Sequence, residues 1–284
     1  MKTLTKFRKL YVTDMSDFVY CPRLFFMKKT MDIPRVETFP MHRGTIEHEI
    51  RRSIAKSLKV EYESCSSIDS LKSLDYKSCI ENAIKYCLDL SLVVKSAFFL
   101  RLEEMLPQLS FRLELEEKQR LAQAILLREK GYSMKEIIEK LLPWKQECGV
   151  GSTTLGITGR VDQVFKQGDN LTPIDFKTHS SRFAGFIWRD AHKEQLILYS
   201  LLLEENYSGA KSNSAIIELT EDLHHDKFKI TKLDKKNALN HIKEAKQLIQ
   251  NRTLPPILTG SSAVKCSSCY FKNFCNSLES EVDQ

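Results

Sequence analysis

The N-terminal part of the chain shows the spacing of apolar residues that is typical of amphipathic helices. Thr13 or Asp14 can cap a helix over VTDMSDFVYCPRLFFMKK, in which Pro22 indicates a bend or a new first turn. A second helix is predicted over GTIEHEIRRSIAKSL, where apolar residues recur every four positions on one face: Ile46, Ile50, Ile54 and Leu58. Residues 12–60 are therefore predicted to be helical.

Residues 61–142 continue this helical character, and no motif in them indicates chemistry. The segment is rich in Leu, Lys and Glu. Ser133 followed by Glu136 predicts a capping box at the start of SMKEIIEKLL.

The pattern changes to short β-strands after residue 144. TLGITGRVDQVFK and LTPIDFKTH are predicted to be strands joined by the turn QGDN, and SAIIELT and HDKFKIT to be two more. A helix is predicted at about residues 190–205, between the two strand pairs, and a last helix at 234–252. This order predicts an α/β fold with a mixed sheet flanked by helices.

Composition narrows the class of protein. The chain has 284 residues, of which 42% are hydrophobic, so it can build a real core. No apolar run approaches the ~18 residues of a membrane span, and the N-terminus lacks the apolar stretch of a secretory signal. We therefore expect a soluble, cytoplasmic protein with no membrane partner. The net charge of +6 permits a polyanionic partner without establishing one.

Two aspartates in the predicted hairpin are the sharpest catalytic signal. Gly159-Arg160-Val161-Asp162 is followed by Asp175-Phe176-Lys177, and alternation along a strand puts Asp175 and Lys177 on one face. If the strands pair, Asp162 and Asp175 can converge, and a divalent cation would relieve their repulsion. Mg²⁺ or Mn²⁺ suits such an oxygen-rich set. Lys177 can then orient a hydroxide that attacks phosphorus.

Three further residues extend this motif. His48 lies four residues after Gly44 on a predicted helix and could supply a nitrogen ligand to the same metal. Gln195 and Tyr199 lie at i and i+4 on one helix face shortly after the hairpin. The chain thus carries, in order, Gly-x-x-x-His, Gly-x-x-Asp, Asp-x-Lys and Gln-x-x-x-Tyr.

Cysteine spacing indicates a second site. Three cysteines form C-x2-C-x5-C near the C-terminus, and one lies far upstream in Tyr-Cys-Pro-Arg: Cys266, Cys269, Cys275 and Cys21. Four thiolates suit either a structural Zn²⁺ or an iron–sulfur cluster, and spacing alone does not decide between them. The other four have irregular spacing that favours packing residues or surface thiols: Cys65, Cys79, Cys87 and Cys148.

The ordered nuclease motifs resemble the RecB-like branch of the PD-(D/E)XK nuclease superfamily, which implies a restriction-endonuclease-like fold. By this resemblance the metal ligands would be His48, Asp162, Asp175 and the Phe176 carbonyl. Lys177 would be the catalytic lysine, with Asp162 and Asp175 as its catalytic partners. Gln195 and Tyr199 would position the DNA strand.

The four cysteines that bracket these motifs resemble those of the CRISPR-associated protein 4 family of RecB-like exonucleases. The resemblance implies that they hold a [4Fe–4S] cluster: Cys21, Cys266, Cys269 and Cys275. It also implies a single-stranded DNA exonuclease that trims fragments for CRISPR spacer acquisition, with the CRISPR integrase complex as a partner. Exonuclease V repair enzymes share this arrangement, so a repair exonuclease stays open, as does a non-catalytic, cluster-bearing DNA-binding adaptor of the integrase.

These motifs divide the chain into four parts of one nuclease domain. N-terminal helices (1–60) carry Cys21 and His48, and a helical insert (61–142) is longer than in compact family members. The RecB-like nuclease core (143–252) is followed by a Cys-rich cluster segment (253–284). The insert could be an arch through which a single strand passes, or only extra packing. Candidate phosphate contacts are Arg23, Arg43, Arg160 and Arg182.

Overall fold

The computed structural model describes residues 9–31, 33, 38–93, 99–179, 188–267 and 269–280. The strands are β1 (Leu10–Tyr11), β2 (Lys145–Ser152), β3 (Ile157–Gln167), β4 (Asn170–Lys177), β5 (Ser214–Leu219) and β6 (His224–Lys229). The helices are α1 (Val12–Tyr20), α2 (Pro22–Thr30), α3 (Phe39–Ser64), α4 (Ile68–Lys72), α5 (Tyr76–Val93), α6 (Phe99–Glu129), α7 (Met134–Leu141), α8 (Arg189–Asn206), α9 (Lys232–Asn251), α10 (Val264–Ser267) and α11 (Lys272–Ser280), with a 3₁₀ turn at Gly260–Ala263.

The described strands form one mixed sheet, as the sequence predicts. β4 and β5 are parallel, whereas β3 is antiparallel to both β2 and β4, and β5 is antiparallel to β6. The parallel connection from β4 to β5 includes α8, as a crossover requires. The fold is therefore α/β with helices on both faces.

A fork in the sheet forms where β3 and β4 separate. β2 pairs along one edge of β3. On the other edge, β1 pairs with residues 157–158 and β4 pairs from Gln163 onward, so the ladders leave residues 159–162 free between them. Beyond Ile174, β4 continues alongside β5 alone. Backbone and side-chain groups of the Gly159–Asp162 stretch are therefore available for other partners.

The buried apolar residues form two main hydrophobic cores, of which the first packs against the sheet. The first joins α1, α8 and α9 to the strands through residues such as Met15, Leu202 and Ile242. The second lies among α3, α5, α6 and α7 and includes Ile54, Tyr62 and many insert side chains. Because α3 contributes Ile50, Ile54 and Leu58 to the second core, the insert helices fix the orientation of the helix that carries His48.

A buried ionic network joins α3, the insert and the sheet. The Arg51 guanidinium lies 2.7 Å from Glu116 on α6, 3.4 Å from Glu47 on α3 and 3.6 Å from Glu218 on β5. It also lies over the Phe176 ring, 5.2 Å from the centroid. Burial lowers the pKa of Arg51, but the carboxylates of Glu116, Glu218 and Glu47 outweigh it and raise the pKa above its usual value. One charged side chain thus links three elements around β4.

Several helix boundaries differ from the sequence prediction. α1 begins at Val12 rather than after Thr13 or Asp14, because the Asp14 carboxylate accepts a 2.6 Å hydrogen bond from the Tyr11 amide that precedes the helix. The helix predicted at 234–252 is not the last one, since α10 and α11 follow it. Pro22 does start a new helix, at the first position of α2, where its missing N–H costs nothing.

The capping box at Ser133 and Glu136 is confirmed at the start of α7.

Among the described residues, no helix combines the length and the apolar character that crossing a membrane would require.

Candidate active site

An open cavity of about 1300 Å³ lies at the fork between β3 and β4. Strand residues from β1 to β4 form part of its wall, α1, α3 and α8 form another part, and the segments that follow β4 and precede α8 contribute Thr178, His179 and Trp188. All seven nuclease-motif residues named from the sequence line it: His48, Asp162, Asp175, Phe176, Lys177, Gln195 and Tyr199. Motifs that are up to about 150 residues apart in sequence therefore meet in one place.

Asp162 bridges the fork. Its Oδ2 atom accepts a 2.8 Å hydrogen bond from the Phe176 amide, and its Oδ1 atom lies 3.4 Å from His48 Nδ1. The other imidazole nitrogen of His48, Nε2, is 3.3 Å from the Phe176 carbonyl oxygen. His48, Asp162 and the Phe176 carbonyl thus form one contiguous group of nitrogen and oxygen donors.

Asp175 and Lys177 occupy the other side of the cavity. Lys177 Nζ lies 2.6 Å from Asp175 Oδ2 and donates a 3.2 Å hydrogen bond to Gln195 Oε1. Gln195 Nε2 in turn donates a 2.8 Å hydrogen bond to Asp175 Oδ1. The amide of Gln195 therefore holds both charged residues in a closed triangle, which fixes the Lys177 side chain.

Tyr199 explains the glycine in the Gly-x-x-Asp motif. Its hydroxyl donates a 2.8 Å hydrogen bond to the Arg160 carbonyl, one of the groups that the fork leaves without a ladder partner. The ring lies so close to β3 that a Cβ at position 159 would be 2.6 Å from Tyr199 Cε1 and 2.8 Å from Val12 Cγ2. Only glycine allows this approach.

The proton affinities of the site residues differ from their ordinary values. Burial raises the pKa of Asp175 to about 6, against the opposing effect of the Lys177 ammonium. Burial alone would lower the pKa of His48, but the hydrogen bond and the charge of Asp162 raise it above its usual value. Both shifts have their cause in carboxylates that are removed from water, a common property of catalytic sites.

Glu147 is a functional candidate that the sequence prediction missed. It lies on β2, opposite Asp162, with side-chain oxygen 2.6 Å from Arg160 Nε. Ligand atoms of His48, Glu147 and Asp162 all lie within 4.8 Å of one another. Burial, and then the charge of Asp162, raises the pKa of Glu147. The sequence alone does not indicate a role for Glu147, because its position opposite Asp162 follows only from the pairing of β2 with β3.

A sequence model of the PD-(D/E)XK nuclease superfamily matches residues 10–276 of the chain. The chain belongs to the PD-(D/E)XK nuclease superfamily. A candidate exonuclease from Eubacterium rectale, known from a crystal structure, is similar at 11% sequence identity with a TM-score of 0.46, over 93% of this chain and 87% of that one. The family match carries the assignment, and it covers both the cavity residues and the four cysteines of the predicted cluster.

Nucleases of the PD-(D/E)XK superfamily typically use a divalent metal, and the donors in the cavity fit one. Carboxylate oxygens, a backbone carbonyl and one imidazole form a set that suits Mg²⁺ or Mn²⁺, and the described residues of the cavity wall include no cysteine. Within the described residues, His48, Glu147 and Asp162 have ligand atoms within 4.8 Å of one another, and the Phe176 carbonyl oxygen lies 3.3 Å from His48 Nε2. Both oxygens of Asp175 instead contact Lys177 or Gln195.

The four cysteines of the predicted cluster lie at the junction of the chain ends. Burial raises the pKa of Cys21, and the neighbouring Cys266 and Cys275 thiols raise it further. The pKa of Cys269 is raised in the same way, by burial and then by the thiols of the other three. These shifts place the thiols near one another, but among the described residues no three of them have sulfur atoms that all lie within 4.8 Å, so a metal or cluster at this site stays a prediction.

Contacts around these cysteines tie the first helices to the last ones. Tyr20 donates a 2.8 Å hydrogen bond to the Lys265 carbonyl, and Lys265 returns one of 2.9 Å to the Tyr20 carbonyl. Arg23 donates to the carbonyls of Pro255 and Cys275. Arg23 is therefore a buried structural residue, and the expectation that it contacts phosphate is wrong.

The other arginines named as phosphate contacts have different positions. Arg160 lies at the cavity with its side chain 72% exposed, whereas Arg43 pairs with Glu221 at 2.7 Å. Arg182 lies outside the described residues.

Proposed function

We propose that the chain is a divalent-metal-dependent exonuclease that hydrolyses single-stranded DNA. The observation that carries this proposal is the meeting of four separate motifs in one open cavity, with His48 and Asp162 on one side and the Asp175–Lys177–Gln195 triangle on the other. A purely structural cluster of this kind would not need a lysine ammonium held at the edge of an open cavity.

The roles of the residues follow from their contacts. His48, Asp162, Asp175 and the Phe176 carbonyl would hold Mg²⁺ or Mn²⁺. Such an ion supplies charge neutralisation at the phosphate and a lowered pKa for a coordinated water. Lys177, restrained by Gln195, donates hydrogen bonds to the attacking oxygen and to the phosphate. Gln195 and Tyr199 position the strand, since both line the cavity beside Lys177.

The shape of the cavity supports a single strand rather than a small molecule as substrate. It is open, and its wall carries the Arg52, Lys177 and Arg160 cations together with aromatic and imidazole rings such as Trp188 and His192. Phosphates are bound by such cations, and bases stack on such rings without sequence preference.

The cysteine site completes the proposal. We propose that a [4Fe–4S] cluster is held by Cys21, Cys266, Cys269 and Cys275. Its role would be structural, because hydrolysis of a phosphodiester needs no electron transfer. The physiological role we propose is the trimming of DNA fragments before the CRISPR integrase inserts them as spacers. This role rests on the resemblance of the cysteine pattern, and an integrase gene and a repeat array beside this gene would support it.

A cleavage assay tests the nuclease activity. Linear single-stranded DNA, labelled at either its 5′ or its 3′ end, and circular single-stranded DNA are incubated with the protein and Mn²⁺. We expect loss of linear DNA from one end, an intact circle, and a rate at least about a hundredfold lower for Asp175→Ala. Asp169→Ala, an exposed aspartate in the turn after β3, is the matched control. DNA binding without cleavage would instead indicate the adaptor role.

A further inference from the structure

We infer that Glu147 is a further ligand of the divalent metal in this site. This inference rests on the proposed function, in which the site binds such an ion. Its carboxylate, His48 and Asp162 have ligand atoms within 4.8 Å of one another. Ligands about 2.0–2.3 Å from a common ion lie at most about 4.6 Å apart. A small side-chain adjustment therefore brings all three onto one ion.

The backbone places Glu147 opposite Asp162. Its neighbours pair regularly across the strands, Gln146 with Gln163 and Cys148 with Val161. Glu147 itself has a φ of 47°, in the left-handed region that costs an ordinary residue about 1–2 kcal/mol. A glycine would avoid this cost, yet the chain has a glutamate there, and its carboxylate lines the cavity.

Glu147 is also the more available carboxylate. Asp175 Oδ1 accepts from Gln195 at 2.8 Å and Oδ2 forms an ion pair with Lys177 at 2.6 Å, so Asp175 would exchange one of these contacts when it binds the metal. The partner of Glu147 is Arg160, whose side chain is 72% exposed. Although the Glu147 side chain is only 22% exposed, its partner lies largely in solvent, where salt screens the pair, so a divalent cation can displace Arg160 from Glu147.

Arg160 therefore competes with the metal for Glu147. This competition distinguishes a metal ligand from a residue that only forms a surface ion pair. If Glu147 acted on the ion only through its charge, Glu147→Asp, which keeps that charge, would bind Mn²⁺ as tightly as the wild type. If Glu147 is a ligand, removing Glu147 weakens metal binding, whereas removing the Arg160 charge leaves it unchanged or strengthens it.

The test measures Mn²⁺ affinity directly, by electron paramagnetic resonance of free Mn²⁺, on full-length protein after treatment with a chelator. We expect the dissociation constant of Glu147→Gln to rise at least about tenfold. Glu147→Asp, which keeps the charge but withdraws the oxygens, should be intermediate, and Arg160→Gln should bind as tightly as the wild type or more tightly. Glu49→Gln is the matched control, since Glu49 also lines the cavity and pairs with Arg52.

Each outcome decides the inference. An unchanged dissociation constant in Glu147→Gln, or one raised no more than in Glu49→Gln, overturns it while leaving the proposed nuclease intact. Equal weakening in Arg160→Gln and Glu147→Gln overturns it as well, in favour of a structural ion pair. Absence of Mn²⁺ binding by the wild type overturns both the inference and the metal dependence of the proposed function. Urea unfolding of each variant identifies any that fails to fold, and Glu147→Asp then provides the comparison.

Discussion

Lys177 and Asp175 form a buried ion pair in which Nζ lies 2.6 Å from Oδ2, and Gln195 hydrogen-bonds to both partners. Asp175 is only 2% exposed, so its charge depends on these two neighbours rather than on water. The pair is therefore costly to form and strongly directional. A nuclease gains from it a lysine in a fixed position, because the Lys177 ammonium has little freedom to turn towards solvent.

The raised pKa of Asp175 predicts a pH-dependent cost to stability. Burial raises this pKa to about 6, above the value of about 3.9 for Asp in an unfolded chain. The unfolded chain releases the proton first, so the contribution of this group is present below about pH 4 and is lost as pH rises through 6. The free energy of unfolding of Asp175→Asn, taken relative to that of the wild type, should therefore rise by about 1–3 kcal/mol when the pH is raised from 4.5 to 7.5.

Urea unfolding at the two pH values, with EDTA present, measures this difference. Asp169→Asn, at an exposed turn, should show a nearly constant difference from the wild type. A relative stability of Asp175→Asn that does not change with pH would contradict the buried, shifted carboxyl.

The Arg51 network predicts a large effect far from the chemistry. Arg51→Met would remove the cation that contacts Glu116 and would leave the fully buried Glu47 with the more distant Arg43, at 3.8 Å, at a cost of about 3–5 kcal/mol. Arg52→Met, one residue away, removes only a half-exposed pair with Glu49 and should cost less than about 1 kcal/mol. The free energies of unfolding in urea give both values. A loss below about 1 kcal/mol for Arg51→Met would show that the network does not stabilise the fold.

The sequence predicts the parts of this protein whose signals are local. The hairpin of β3 and β4, the crossover helix α8 and the capping box of α7 all have short-range patterns, and the family match and the structure agree with the α/β class. The nuclease motifs can be identified from the sequence for the same reason, because the residues of each motif have a fixed spacing on one strand or helix. Their roles stay predictions until variants are measured.

The features that the sequence did not predict depend on contacts between strands and helices that are distant in the chain. β2 reads KQECGVGS, with two glycines and an apolar alternation of only two residues, Cys148 and Val150, and it is a strand because the edge of β3 accepts it. Glu147 was missed with it, since its importance comes from lying opposite Asp162. The partners of Arg51 are similarly distant, as Glu116 and Glu218 lie 65 and 167 residues further along the chain.

The close approach of Tyr199 to Gly159 predicts that this glycine is irreplaceable. A Cβ there would lie 2.6 Å from Tyr199 Cε1 and 2.8 Å from Val12 Cγ2. Gly159→Ala should cost about 1–3 kcal/mol through overpacking and should also displace the Tyr199 hydroxyl from the Arg160 carbonyl. Thermal or urea unfolding measures the first effect, and the rate of DNA cleavage reports the second.

Gly149→Ala is the matched control on the neighbouring strand β2. A Cβ at position 149 would meet nothing within 4 Å, so this variant should be as stable as the wild type or slightly more so. Equal losses in the two variants would mean that glycine is needed for strand flexibility rather than for the approach of Tyr199.

The cysteine site predicts a cofactor that joins the two ends of the chain. Tyr20 and Lys265 exchange hydrogen bonds beside it, and Phe271 packs against Tyr20 and Leu24. Anaerobically purified protein should be brown and contain about four iron and four sulfide ions per chain. Cys266→Ser should lose the iron and lower the melting temperature, because cofactor binding contributes to folding. Cys87→Ser, in the insert core, should keep the iron. Colourless protein with one zinc per chain would retain the four-cysteine site and reject the iron–sulfur cluster.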